Sequence, residues 1–245
     1  MTSRMSKQSL VLLNVFAGGT DYFNRVEAKL RLSFDVLVLA LPGHEGQSVG
    51  PETIEEFASW VMEDLERRGI ERPILIGHSF GGYIVSSIVE MYSEKINGFG
   101  LVYSTAKADT DEAKQKRNQN ISRVQEIGVR EFVDGLVPGL FAEGTDVMIV
   151  SEAKEIGYMM TVEGAIRALT AMRDRRDLTD VLSRTDVPGV IIHGTKDPLI
   201  SEASAFAPQN ERIIKRSTDS SHMGMLETPD AFCEILEEVF SEEKS

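Results

Sequence analysis

The chain has 245 residues, of which 42% are hydrophobic and 27% are charged, and this balance predicts one globular protein with a substantial core. Its formal net charge of −13 argues against nucleic acid or an anionic membrane as a partner, because both bind clustered Lys and Arg. The single cysteine, Cys233, cannot form an intramolecular disulfide, so the reducing cytoplasm is the expected location. We expect no signal peptide and no membrane span, since no apolar stretch is long enough for either.

Short apolar runs alternate with helical patterns over the first hundred residues. A capping box of Thr53 and Glu56 marks the start of the second helix. Strict alternation of strands and helices predicts a parallel sheet covered on both faces. The predicted strands are 10–13, 34–40, 73–76 and 96–103, and the predicted helices are 21–32, 53–69 and 81–91.

The pattern changes between residues 106 and 185, where every periodic segment is helical and no strand is predicted. Afterwards the alternation resumes with strands at 187–193 and 212–215 and helices at 201–207 and 229–241. We therefore expect a sheet domain formed by 1–105 and 186–245, with 106–185 inserted as a helical cap.

The segment GHSFG at 77–81 lies between a predicted strand and a predicted helix. A nucleophilic serine there must occupy a sharp, strained turn, and the residues two before and two after it must be small. Gly77 and Gly81 meet that need on either side of Ser79. The N–H groups at the start of the following helix favour a developing oxyanion. This pattern predicts Ser79 as a nucleophile.

A serine nucleophile needs a general base, and the base needs a carboxylate that orients it. Of the four histidines, His222 follows the last predicted strand and so lies on the carboxyl edge of the sheet, as Ser79 does. Asp197 follows the preceding strand on the same edge and is the predicted acid. Asp219, three residues before His222, is the rival and is interpreted as a turn residue.

Four motifs give the chain a resemblance to the α/β-hydrolase superfamily, and together they cover almost its whole length. They are PGHEGQS at 42–48, GHSFG at 77–81, HGTKDPL at 193–199 and SHMGMLETP at 221–229. The small carboxylesterase and enol-lactonase-like branch with a helical cap is similar in appearance. The resemblance implies an α/β-hydrolase fold with about six parallel strands flanked by helices, and the order nucleophile, acid, base along the chain.

The resemblance also implies an oxyanion hole formed by the backbone N–H groups of Phe16 and Phe80. The family usually has His-Gly after its third strand, whereas this chain has Asn14 and Val15 before Phe16. A backbone donor does not depend on side-chain type, so the hole can survive the change. Asn14 is expected to brace the loop in place of the histidine.

For the substrate pocket, the predicted lining residues are Phe16, Met223, Phe141 and Met159. Three arginines at 173, 175 and 176 can recognise a carboxylate, although surface ion pairs are the preferred interpretation. No cofactor or metal is expected, and a monomer and a homodimer are equally compatible with the sequence.

The leading functional hypothesis is a serine hydrolase that cleaves a small carboxylic ester, thioester or lactone through an acyl-enzyme on Ser79. One alternative is a C–C bond hydrolase or cofactor-free perhydrolase with the same triad. Another, of a different class, is a ligand-binding or receptor protein with residual hydrolase activity.

Overall fold

A computed structural model describes residues 7–241 of the chain. Its centre is a sheet of six strands in the order β2-β1-β3-β4-β5-β6, and every neighbouring pair is parallel. The strands are β1 (Ser9–Leu13), β2 (Asp35–Leu39), β3 (Ile74–His78), β4 (Gly98–Val102), β5 (Gly189–Gly194) and β6 (Ile213–Thr218). The predicted six-stranded parallel sheet is confirmed.

Helices cover both faces of the sheet, as the continuous apolar runs of its strands require. All residues of β3, β4 and β5 are buried, which is typical of parallel strands packed between two helical layers. The flanking helices are α1 (Asn24–Leu30), α2 (Ile54–Arg67) and α3 (Phe80–Tyr92). The predicted capping box is present, since Thr53 accepts from the backbone of Glu56 and Glu56 accepts from the backbone of Thr53.

Between β4 and β5 the chain forms four α-helices and no strand, and the structure describes this whole segment. The helices are α4 (Asp111–Leu136), α5 (Val147–Gly157), α6 (Val162–Asp174) and α7 (Thr179–Arg184). Gly128 has φ 78° inside α4 and kinks it, a conformation that glycine adopts without steric cost. After β5 come α8 (Glu202–Ala205), α9 (Gly224–Glu227) and α10 (Pro229–Phe240).

The order in which strands are added to the sheet reverses at β1. From β1 the chain moves to β2 on one side and then to β3 on the other. Such a switch point leaves a crevice at the carboxyl ends of the strands, where ligands bind in open α/β sheets. No helix among residues 7–241 is long and apolar enough to cross a membrane.

Candidate active site

Ser79 occupies the turn between β3 and α3 with φ 50° and ψ −105°, outside the regions that most residues adopt. Its own N–H donates to the carbonyl of Val102 at 2.9 Å, which holds the turn against β4. A Cβ on Gly77 would overlap the backbone of Gly81, and one on Gly81 would lie 2.6 Å from the carbonyl oxygen of Leu13. The steric reason for glycine at both positions is therefore visible in the fold.

The structure brings the three predicted residues into one chain of hydrogen bonds. The Nε2 atom of His222 lies 2.8 Å from Oγ of Ser79, and its Nδ1 lies 2.8 Å from Oδ2 of Asp197. Because an ionised carboxylate can only accept, Nδ1–H donates to Asp197 and Nε2 is left to accept the serine proton. His222 is 1% exposed and Ser79 is 8% exposed, so the pair is shielded while the hydroxyl can still be reached.

Asp197 is held as an anion by donors on two sides. Its Oδ1 accepts the N–H groups of Leu199 at 2.8 Å and Ile200 at 3.0 Å, while Oδ2 accepts from His222. Burial by itself raises the pKa of Asp197, but the hydrogen bond and charge of His222 and these two N–H groups lower the pKa by more. The rival Asp219 instead forms an exposed ion pair with Lys196 at 2.9 Å.

The other histidines are buried away from the serine hydroxyl, and two of them brace the loops that carry its partners. His78 donates from Nε2 to the carbonyl of His222 at 2.9 Å, and His193 donates from Nε2 to the carbonyl of Ile200 at 3.0 Å. Burial lowers the pKa of His78 to about 3, so this ring is neutral at physiological pH. Sequence reasoning missed both bracing contacts because their acceptors are distant backbone atoms that have no sequence signal.

Two backbone donors are free beside Ser79. No acceptor among the described residues takes the N–H of Phe16 or of Phe80, the first residue of α3. Asn14 is buried and donates from Nδ2 to the carbonyl of adjacent Val15 at 3.2 Å. This hydrogen bond therefore lies within the loop that follows β1. Oδ1 of Asn14 has no partner among the described residues.

A cavity of about 500 Å³ opens beside Ser79, within the range of small-molecule sites. Much of its apolar wall comes from the loop after β1 and from the helical segment between β4 and β5. It contains Val15, Phe16, Leu136, Leu140 and Met172. Phe16 also meets Phe132 of α4 edge to face, with ring centroids 6.3 Å apart.

Only one of the four predicted pocket residues, Phe16, lines this cavity. Met223 and Phe141 are buried in the core instead, and Met159 is 55% exposed and outside the cavity lining. Met223 follows His222 directly in sequence but is absent from the cavity lining, because adjacent side chains point in different directions.

The three arginines have different surroundings. Arg173 pairs with Asp174, and Arg176 pairs with Glu55 and Glu90. These are surface ion pairs, the interpretation that the sequence favours. Arg175 is buried in the cavity wall. Among residues 7–241, no group of three or more His, Cys, Asp or Glu side chains is placed to hold a metal ion.

The chain is similar to two curated proteins at low identity. It is 23% identical over 242 residues to the dihydrolipoyllysine-residue acetyltransferase component of the acetoin cleaving system of Cupriavidus necator, covering 94% of this chain. The chain spans 62% of the length of that relative. It is also 23% identical to the pimeloyl-[acyl-carrier protein] methyl ester esterase of Photorhabdus laumondii, over 99% of this chain and 95% of that protein.

A solved structure with a similar fold is the enol-lactonase of Burkholderia xenovorans LB400. The TM-score is 0.89 at 20% identity, with 98% of this chain and 94% of the other covered. A model of the alpha/beta hydrolase family matches residues 10–235, which include all six strands from Leu10 onward. By this match over most of its length, the chain belongs to the alpha/beta hydrolase family.

Proposed function

We propose that this protein is a serine hydrolase that cleaves a small carboxylic ester, thioester or lactone through an acyl-enzyme on Ser79. The observation that carries the proposal is the pair of 2.8 Å contacts that joins Ser79 to His222 and His222 to Asp197. The similarity to an esterase and to an enol-lactonase supports the ester or lactone as the bond cleaved.

The proposed reaction has two half-reactions. His222 takes the proton of Ser79 as Oγ attacks the substrate carbonyl, and Asp197 stabilises the resulting imidazolium. The free N–H groups of Phe16 and Phe80 are the proposed donors to the oxyanion. The imidazolium then gives its proton to the departing alkoxide or thiolate. Water, deprotonated by the same imidazole, attacks the acyl-enzyme and releases the acid and the serine.

We further propose that residues 106–185 act as a cap over the site. Leu136, Leu140 and Met172 of this segment line the cavity beside Ser79. The carbonyl of Leu140 also accepts the backbone N–H of His222 at 3.2 Å, so the segment touches the proposed base directly. The substrate pocket is thus shared between the sheet and the proposed cap.

A fluorophosphonate probe tests the serine directly, because it reacts with activated serine hydroxyls. The wild-type protein should be labelled stoichiometrically, and Ser79→Ala should abolish labelling. Ser151→Ala, which removes an exposed serine of α5, is the matched control and should be labelled like the wild type. A folded wild-type protein that resists the probe would contradict the proposal and favour the ligand-binding alternative.

A further inference from the structure

The cavity beside Ser79 is strongly basic, although the protein as a whole is acidic. Apart from His222, its charged lining residues are four cations and one anion, whereas the chain has a formal net charge of −13. They are Lys107, Lys116, Arg117 and Arg175 against Asp109. A basic cavity in an acidic protein concentrates anions at one place on its surface.

The single anion cannot neutralise this wall, because it is already shared. Asp109 bridges two arginines, with Oδ1 2.6 Å from Nη1 of Arg175 and Oδ2 3.1 Å from Nε of Arg117. The side chains of Asp109 and Arg175 are only 5% and 6% exposed, so this part of the wall is fixed in place. One positive charge of the two arginines is left over.

Arg175 and Arg117 differ in how many of their donors are used. Arg175 donates from Nε to the carbonyl of Lys107 and from Nη1 to that of Met172, and its guanidinium stacks 4.0 Å above the ring of Tyr83. These contacts make it a structural member of the wall. Within residues 7–241, by contrast, neither Nη1 nor Nη2 of Arg117 has a hydrogen-bond partner.

Lys116 adds a second free cation next to Arg117. No carboxylate in the described part of the chain forms an ion pair with Lys116. Lys107 differs, because its positive charge interacts with the carboxylate of Asp177 and helps to lower the pKa of Asp177. Ala113, Lys116, Arg117 and Asn120 all line the cavity, and this spacing of three and four residues puts them on one face of α4. Lys116 and Arg117 therefore form a pair of available cations at the cavity wall.

We propose that the substrate carries an anionic group, a carboxylate or a phosphate, that Arg117 and Lys116 bind while Ser79 attacks the ester or lactone carbonyl. The inference rests on the proposed function and names its substrate class. The planar fork of a guanidinium matches the two oxygens of either anion. A neutral substrate would offer no charge or acceptor oxygens of this kind to the two cations.

Matched esters test the preference. One pair is 4-nitrophenyl hemisuccinate and 4-nitrophenyl butanoate, which place a carboxylate or a methyl group at the end of the acyl part. A second pair, 4-acetoxybenzoate and 4-acetoxybenzamide, places the charge in the leaving group. The 4-nitrophenyl ester of 3-phosphonopropanoate distinguishes a phosphate-like anion from a carboxylate. The quantity measured is the ratio of kcat/KM for the anionic and the neutral member of each pair.

We expect the wild-type protein to prefer the anionic member about tenfold in at least one pair, the gain typical of a charged hydrogen bond. The preference should shrink as ionic strength rises, because Lys116 is exposed and its charge is screened. Arg117→Gln and Lys116→Gln should each lower the ratio about fivefold. Lys114→Gln is the matched control, since it removes the same charge from the same helix outside the cavity lining.

Three outcomes would overturn the inference: no preference for any of the three anionic esters in the wild type, an unchanged ratio in both cavity variants, or an equal loss in Lys114→Gln. Turnover of the neutral esters together with labelling of Ser79 would leave the proposed function standing in each case. If instead the wild-type protein neither turns over any ester nor reacts with the probe, the proposed function itself fails.

Discussion

Asp197 shows at the scale of one residue how a carboxylate is kept ionised next to a buried imidazole. One oxygen accepts two backbone N–H groups and the other accepts Nδ1–H of His222. The lowered pKa of Asp197 follows from these donors, which outweigh the opposing effect of burial. An anion in this position selects one tautomer of His222 and leaves Nε2 facing Ser79.

Asp197→Asn should lower kcat for ester hydrolysis by roughly 10³- to 10⁴-fold, because a neutral amide cannot stabilise the imidazolium or hold its tautomer. Asp219→Asn is the matched control, since Asp219 precedes His222 by three residues but pairs with exposed Lys196. We expect kcat of that variant within about twofold of the wild type, as for an exposed ion pair. A larger loss in Asp219→Asn than in Asp197→Asn would contradict the assignment of the acid. Steady-state kinetics with 4-nitrophenyl acetate provide the measurement.

At the scale of secondary-structure elements, the turn from β3 to α3 is tightly constrained by its own backbone and by its neighbours. Ser79 has positive φ, and its neighbours two residues away approach other backbone too closely for any side chain. The turn is also held from outside, since Ser104 donates from Oγ to the carbonyl of Ser79 at 2.8 Å. Strain at Ser79 is therefore maintained by contacts from β4 and the residues that follow it.

Gly77→Ala should destabilise the protein by about 1–3 kcal/mol or more, because the added methyl group overlaps the backbone of Gly81. At Gly50, by contrast, an added Cβ meets no atom within 4 Å. Gly50→Ala is thus the control, with an expected change within about 0.5 kcal/mol. Urea unfolding gives the free energy of unfolding for both variants. Equal stability of the two would show that the turn can relax.

At the scale of the whole molecule, several contacts join the sheet to the helical segment 106–185 near the site, and two of them hold loops in place. On one side the carbonyl of Gly43 accepts the N–H of Thr161 at 3.2 Å, and a Cβ on Gly43 would lie 2.6 Å from Cα of Gly164. On the other side Glu227 accepts from the hydroxyl of Thr145 at 2.8 Å while it also holds the loop that carries His222. Displacing the segment would therefore disturb both loops.

Buried histidines make the stability of the whole molecule sensitive to mild acid. Burial lowers the pKa of His44 to about 4, from 6.5 for a free side chain. The unfolded chain therefore binds a proton as pH falls below 6.5, whereas the folded chain does not until about pH 4. The contribution of neutral His44 to the stability of the fold is fully present above pH 6.5 and is lost as the pH falls from 6.5 to about 4. Each such histidine contributes up to about 1.4 kcal/mol per pH unit.

We expect the urea midpoint of the wild-type protein to fall between pH 7.5 and pH 5, and to fall less in His44→Gln, which has no proton to bind. Between pH 7.5 and pH 8.5 His44 does not titrate in either the folded or the unfolded state. Over that range the urea midpoints of the two proteins should change by the same amount. Equal losses in both proteins on acidification would mean that His44 does not contribute to the pH dependence.

The sequence by itself determined the sheet and the residues of the proposed triad. Both depend on local patterns: apolar runs of strand length, and loops that must follow the carboxyl ends of parallel strands. Ser79, Asp197 and His222 each directly follow such a strand or lie in the loop after it, so chain order was enough to bring them together. Their catalytic roles stay a prediction.

Only the tertiary structure decided the lining of the cavity. Met223 adjoins His222 in sequence yet is buried in the core, while Lys116 and Arg117 line the cavity from a segment that the sequence predicts only as helical. The sequence does not distinguish Arg175 from the neighbouring arginines at 173 and 176, yet Arg175 is buried and forms an ion pair with Asp109. Which face of a helix meets a cavity depends on packing between segments far apart in the chain, and no local pattern encodes that packing.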